Sequence, residues 1–216
     1  MKEYSTIIIA LISLTVGAIF FYLMSQTKQL PAAEYALHYQ QARPISDFNF
    51  TDESGQDFEN KHLQGKWSFI FFGYTSCPDV CPMTLQKLGF IYDKITAIAS
   101  NSQVILVSVD PQRDSREKLA QYIAYFNPNF KALRAEHNVL FPFSRNLGLM
   151  YAITRKSNIN VAEEGYWVDH STSLALINPT GKVEAIFKPE QEVGQVPYIN
   201  TEELLSDYQR IVALYQ

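Results

Sequence analysis

Cys77 and Cys81 are the only cysteines in the chain, four positions apart in Cys77-Pro78-Asp79-Val80-Cys81-Pro82. An isolated cysteine reads most simply as a small buried hydrophobe. A close pair with no other cysteine reads instead as a redox couple or a metal site. Three residues separate the two, one more than in the usual Cys-X-X-Cys redox pair. In a segment of helical character, i, i+4 spacing puts both sulfurs on one face. That spacing permits a disulfide, and it equally permits two thiolates to converge on one metal ion. Thiolates are soft ligands that select Cu(I), and with imidazole they also hold Cu(II) or Zn(II). Pro82 suits the first position of a helix, whose positive end would stabilise thiolates beside it.

A metal site of this kind wants a further ligand, and the chain has four histidines. His38 falls in a linker and His62 in a polar stretch, and both read as solvated. His137, in Arg134-Ala135-Glu136-His137-Asn138, reads as a surface residue. His170, in Tyr166-Trp167-Val168-Asp169-His170-Ser171, stands just before a core-strand pattern, and this placement makes it the candidate ligand. Asp169 either orients that imidazole through a hydrogen bond or serves as a turn or cap residue. Met83 reads as a packing residue, with soft axial ligation as the alternative. Asp110, closing Val107-Ser108-Val109-Asp110-Pro111, either stands behind the ligands or caps its loop.

The elements that must position these residues are legible from apolar patterning. Phe48–Thr51 and Gln56–Glu59 flank Asp52-Glu53-Ser54-Gly55, a hairpin signal. Trp67–Gly73 is a continuous apolar run, as in a strand buried on both faces. Leu85, Leu88, Ile91, Tyr92, Ile95 and Ile98 give helical spacing from Met83 onward, and Val104–Val109 is a second buried strand. Asp114-Ser115-Arg116-Glu117 reads as a capping box with Asp114 as cap, opening a helix that stops near Asn127-Pro128. Ser173–Ile177 and Lys182–Lys188 are strands joined by Asn178-Pro179-Thr180-Gly181, and Asn200-Thr201-Glu202-Glu203 opens a last amphipathic helix. The order β-α-β-α-β-β-α predicts an α/β, thioredoxin-like three-layer domain preceded by a hairpin. The cysteines then sit at the carboxyl end of the first buried strand, where ligands collect in open α/β sheets. In such a sheet the start of the strand after His170 comes close to the cysteine loop. Lys131 to Gly165 shows no clear period and is read as the place of an insertion.

The chain has 216 residues, 47% hydrophobic and 19% charged, which is enough apolar surface for one ordinary domain. A net charge of −4 without any basic run argues against nucleic acid as a partner. Ile7 to Met24 carries no charge and, as a helix, would span about 27 Å, close to a bilayer core. No small-x-small cleavage site follows it, so an uncleaved single-pass anchor is expected rather than a removed signal. The expected organisation is an anchor over residues 1–25, a linker over 26–43 and a domain over 44–216. Lys2, Glu3 and Lys28 leave the positive-inside rule undecided. An opening apolar helix without an Arg-rich presequence fits a bacterial cytoplasmic-membrane protein with its domain on the periplasmic or extracytoplasmic side.

Three blocks carry a resemblance. Phe71-Phe72-Gly73-Tyr74-Thr75-Ser76-Cys77-Pro78-Asp79-Val80-Cys81-Pro82 resembles the motif of the SCO/SenC copper-binding proteins. Val107-Ser108-Val109-Asp110-Pro111-Gln112-Arg113-Asp114 and Val168-Asp169-His170-Ser171 resemble two further blocks of that family, in its order and spacing. The resemblance covers roughly residues 45–188. It implies a thioredoxin-like domain on one membrane anchor, and one copper held by two cysteines and a histidine, here Cys77, Cys81 and His170. It further implies a role in assembling the binuclear copper site of cytochrome c oxidase. The chain departs from the family after Phe130, where Lys131-Ala132-Leu133-Arg134-Ala135 replaces a Gly-Leu-Thr-Gly-like stretch.

Two functions follow. The first is a metallochaperone that holds Cu(I) or Cu(II) and passes it to the copper-site subunit of a cytochrome oxidase. The alternative is a thiol–disulfide reductase in which Cys77 and Cys81 cycle to keep the target's cysteines reduced. A peroxide-reacting protein ranks third, since only a cysteine and the fold favour it. A metal ligand must be a thiolate, so copper and a disulfide exclude each other on this pair. In an oxidising compartment the chaperone therefore needs a thiol reductant as well as a copper donor.

Overall fold

The most apolar runs of the domain form the two central strands of one sheet. The computed structural model describes residues 11–21, 33–155 and 166–215. The chain divides into two units, Met1–Ala32 and Ala33–Gln216. In the first, residues 11–21 form helix α1, with Leu14, Phe20 and Phe21 exposed. The rest of the expected anchor over residues 1–25 lies outside the described residues. Among the described residues no helix is long and apolar enough to cross a membrane.

The second unit begins with β1 (Ala36–Pro44), β2 (Asn49–Asp52), β3 (Asp57–Glu59), a 3-10 turn (Asn60–His62), β4 (Trp67–Gly73) and α2 (Val80–Ile98). There follow β5 (Ser102–Ser108), α3 (Arg116–Phe126), β6 (Lys131–Arg134), α4 (His137–Leu147), β7 (Tyr151–Arg155) and β8 (Tyr166–His170). The unit ends with β9 (Leu174–Ile177), β10 (Lys182–Phe187) and α5 (Thr201–Ala213). The main sheet has the order β1-β10-β9-β4-β5-β6-β2-β3, and β7 and β8 form a separate two-stranded sheet.

β4, β5 and β6 run parallel, and β9, β10 and β1 continue antiparallel from β4. Every residue of β4 and β5 is buried, as a strand covered on both faces requires. Alternation along β4 identifies the covers. Trp67 and Phe69 meet Tyr208 of α5, the latter edge-on at 4.8 Å, whereas Phe72 points the other way to Phe143 of α4. The expected β-α-β-α-β-β-α order is present as β4-α2-β5-α3-β9-β10-α5, within a mixed α/β, thioredoxin-like architecture.

Several expectations need correction. The linker expected over 26–43 does not extend that far, because Ala36–Pro44 is an edge strand paired with β10. Its entry is fixed by the buried Asp207 carboxylate, which accepts the backbone N–H groups of Glu34, Tyr35 and Ala36 at 3.0, 2.8 and 2.7 Å. α3 is capped by Ser115, whose hydroxyl accepts from the Lys118 N–H, and not by Asp114. Asp114 is fully buried and bonded elsewhere. α2 starts at Val80, so Pro82 lies inside its first turn, where a missing N–H costs nothing. The unassigned stretch from Lys131 contains β6, α4 and β7.

Candidate metal centre

β4 ends in Gly73 against the start of α2, and the short loop between them carries Cys77. A Cβ on Gly73 would lie 2.9 Å from Cys81 Sγ and 3.0 Å from Leu106 Cδ1, so only glycine lets the first turn of α2 sit this close to the strand. Cys81 occupies that turn and is fully buried, while Cys77 is half-buried. Both thiols are free. The loop is fastened from below: Asp114 accepts from the Thr75 hydroxyl at 2.5 Å, the Thr75 N–H at 3.2 Å and the Ser108 hydroxyl at 2.6 Å.

His170 closes β8, and its Nε2 lies 3.2 Å from Cys81 Sγ. The two sulfurs and one imidazole nitrogen all lie within 4.8 Å of one another. Thiolate sulfur and imidazole nitrogen stand about 2.3 and 2.0–2.1 Å from a bound zinc ion, taken as a guide for a first-row metal, so two donors on one ion span up to roughly 4.6 Å. The separations in this set are of that order, and the donor chemistry suits a soft metal. The rings of Phe71 and Tyr74 stand nearly perpendicular to the imidazole, with ring centroids 5.8 and 5.9 Å from its own. A surface pocket of about 210 Å³, lined by Cys77, Pro78, Val80, Trp167 and His170 among others, opens onto the group.

The thiols are electrostatically unlike. Cys77 is held down to about 4, first by the Cys81 thiol donating to it, then by His170 and by the backbone N–H groups of Cys81 and Asp79. Burial pushes Cys81 strongly upward, and the neighbouring Cys77 thiolate acts in the same direction. In the metal-free pair Cys77 is therefore the thiolate, and Cys81 keeps the proton.

The remaining candidates lie apart from this cluster. Asp169 is exposed and accepts from the Thr154 hydroxyl at 2.8 Å, so it does not orient His170, whose Nδ1 faces the Ser171 carbonyl at 3.2 Å. Met83 is half-buried and lines a different groove, beside Lys87 and Tyr198. His38 and His62 are not simply solvated. His38 Nε2 lies 2.9 Å from the buried Glu184 carboxylate, and His62 Nδ1 accepts the Glu59 N–H at 2.8 Å. His137 Nδ1 lies 2.9 Å from the Tyr151 hydroxyl. Asp110 is buried and receives the Tyr166 hydroxyl at 2.5 Å. Gly73 and Tyr74 were not singled out from sequence, and Asp114 was read only as a helix cap, although all three stand inside the conspicuous blocks around the cysteines and Asp110.

The sequence profile of the SCO1/SenC family matches residues 37–201, about three quarters of the chain. The chain belongs to the SCO1/SenC family. An SCO2-like protein of Rickettsia felis is 32% identical over 187 residues, covering 84% of this chain and 90% of that one. The crystal structure of Arabidopsis thaliana ScoI with copper bound superposes with a TM-score of 0.67 at 26% identity, covering 79% of this chain and 99% of that one. The copper-bound ScoI of Bradyrhizobium japonicum gives 0.60 at 25% identity, covering 78% and 99%. The SCO1/SenC match spans the cysteine loop, the turn after β5 and β8, the three places from which the cluster and its supports are built.

Proposed function

We propose that this chain holds copper through Cys77, Cys81 and His170 and assists assembly of the copper site of a membrane cytochrome oxidase. The observation that carries the proposal is the convergence of two thiol sulfurs and one imidazole nitrogen within 4.8 Å, with Cys77 and His170 lining an open pocket and Cys81 buried behind them. Two soft donors and one borderline donor suit Cu(I) and tolerate Cu(II). Copper here is cargo, and a site open to the surface lets a recipient's ligands replace the donor's one at a time. The copper-bound relatives support the metal, and the family membership supports a cytochrome oxidase subunit as recipient. The uncharged segment Ile7 to Met24 supports an anchor over residues 1–25; that the domain lies outside the cytoplasm of a bacterial cell is part of the proposal. Because Cys77 and Cys81 must be reduced to bind, a copper donor and a thiol reductant complete the set of partners.

Competition of the reduced, full-length chain against a Cu(I) chelator tests this reading. One tight equivalent is expected, weakened in Cys77→Ser, Cys81→Ser and His170→Ala. Undiminished affinity in any of the three would remove that residue from the site.

A second reading, a thiol–disulfide reductase, is favoured by one specific feature. The pair combines a reachable thiolate, Cys77, with a buried protonated partner, Cys81. That asymmetry suits attack by Cys77 on a target disulfide, followed by resolution by Cys81, which leaves the target reduced and this pair oxidised. Formation of a mixed disulfide with a target by Cys81→Ser, and not by Cys77→Ser, would support it.

A further inference from the structure

The strand that carries His170 stands outside the main sheet. Among the described residues β8 pairs with β7 alone, and a two-stranded ribbon is marginally stable in water by itself. Its seat beside the cysteines must therefore come from side chains that tie it to the domain. At the end where Tyr151 pairs with His170, α4 supplies the tie: Phe141 stacks on Tyr151 with ring centroids 4.7 Å apart. At the other end, where Tyr166 pairs with Arg155, the tie comes from the turn after β5. The Tyr166 hydroxyl donates to Asp110 Oδ1 at 2.5 Å, and Arg113 pairs with Oδ2 of the same carboxylate. The Arg113 guanidinium lies 4.0 Å from the centroid of the Tyr166 ring, and its Nη1 donates to the Tyr166 carbonyl at 3.4 Å. It also lies 5.6 Å from the centroid of the Tyr74 ring, which in turn meets the His170 ring edge-on.

We propose that Asp110 and Arg113 are positioning residues for His170: they clamp the Tyr166 end of the β7–β8 ribbon and so hold the imidazole against Cys81. This rests on reading the Cys77, Cys81 and His170 cluster as a copper site, and it names the device that assembles it. The device is economical in sequence. Asp114, four residues on from Asp110, fastens Thr75 and with it the cysteine loop. One turn, Asp110–Asp114, thereby grips both halves of the site. The buried carboxylate of Asp110 strengthens the clamp, because a charge removed from water is held only where its partners satisfy it. Arg113 suits the task through its planar, stacking guanidinium, which a lysine would not reproduce.

The test uses the full-length chain in detergent and has two readouts. In copper competition, Arg113→Ala is expected to weaken binding about 10–100-fold, the usual range for a support behind a metal ligand. The same change in a His170→Ala background is expected to add nothing, since the residue it positions is gone. In the metal-free protein, hydrogen exchange of the β8 amides should quicken while that of β4 and β5 stays as in the wild type. An equal copper loss in the His170→Ala background, or unaltered β8 exchange, would overturn the proposal. Should Arg113→Ala fail to fold, Tyr166→Phe deletes only the bond to Asp110 and is expected to shift both readouts in the same direction; no shift would again overturn it. If the wild type takes up no copper, the copper reading fails on its own, and β8 exchange still decides whether Arg113 holds the ribbon.

Discussion

The difference between Cys77 and Cys81 comes from position more than from kind. Cys77 sits on a loop open to the pocket, where a thiol, an imidazole and two backbone N–H groups stabilise its negative charge. Cys81, four residues later, points into the β4–α2 contact, where charge is penalised. Alkylation of the reduced, metal-free chain should therefore label Cys77 first. Its rate should already be on its upper plateau well below about pH 8.5, near which an ordinary thiol is half ionised. Cys81 should stay unlabelled until the domain unfolds. His170→Ala deletes one of the stabilising bonds and should move the Cys77 profile to higher pH. Peptide mapping across a pH series checks both statements, and a Cys77 profile that rises only near the ordinary thiol range would contradict the assignment. The pair itself was conspicuous in the sequence, but which thiol carries the charge was not. That depends on which sulfur faces solvent, a property of the β4–α2 packing and not of the spacing.

At the scale of elements, the site depends on a strand and a helix approaching without a side chain between them. Gly73→Ala should cost about 1–3 kcal/mol of stability, the usual range for overpacking, because its Cβ would meet Cys81 Sγ, Leu106 and Phe71. It should weaken copper binding too, since Cys81 must shift. Denaturant unfolding together with copper competition separates the two effects. Asp114→Ala leaves the Thr75 N–H and two hydroxyls without their acceptor and should cost about 2–4 kcal/mol. The elements that position the cysteines were legible because β4 and β5 are continuous apolar runs and α2 repeats Leu85, Leu88, Ile91 and Ile95 on one face. The stretch from Lys131 was not, for physical reasons. β6 is four residues long, and α4 carries Pro142 inside it, a residue that ordinarily signals a helix end. Asp114 looked like a cap because aspartate beside serine offers two equally good capping side chains, and only the buried needs of Thr75 and Ser108 decide between them.

At the scale of the molecule, the domain closes around its own beginning. The three backbone N–H groups at Glu34, Tyr35 and Ala36 converge on the fully buried Asp207 of α5, with Arg210 alongside. Asp207→Ala should cost about 2–4 kcal/mol and free the entry to β1, raising proteolysis there while leaving copper affinity unchanged. Limited proteolysis with mass mapping checks this, and weakened copper binding would show that the clasp and the site are coupled. The central claim concerns the metal itself, and X-ray absorption at the copper edge of the Cu(I)-loaded, full-length chain tests it most directly. The account expects two sulfur scatterers and one imidazole nitrogen, with the imidazole signature lost in His170→Ala. A copper environment that keeps its imidazole signature in His170→Ala, or that contains fewer than two sulfurs in the wild type, would contradict it.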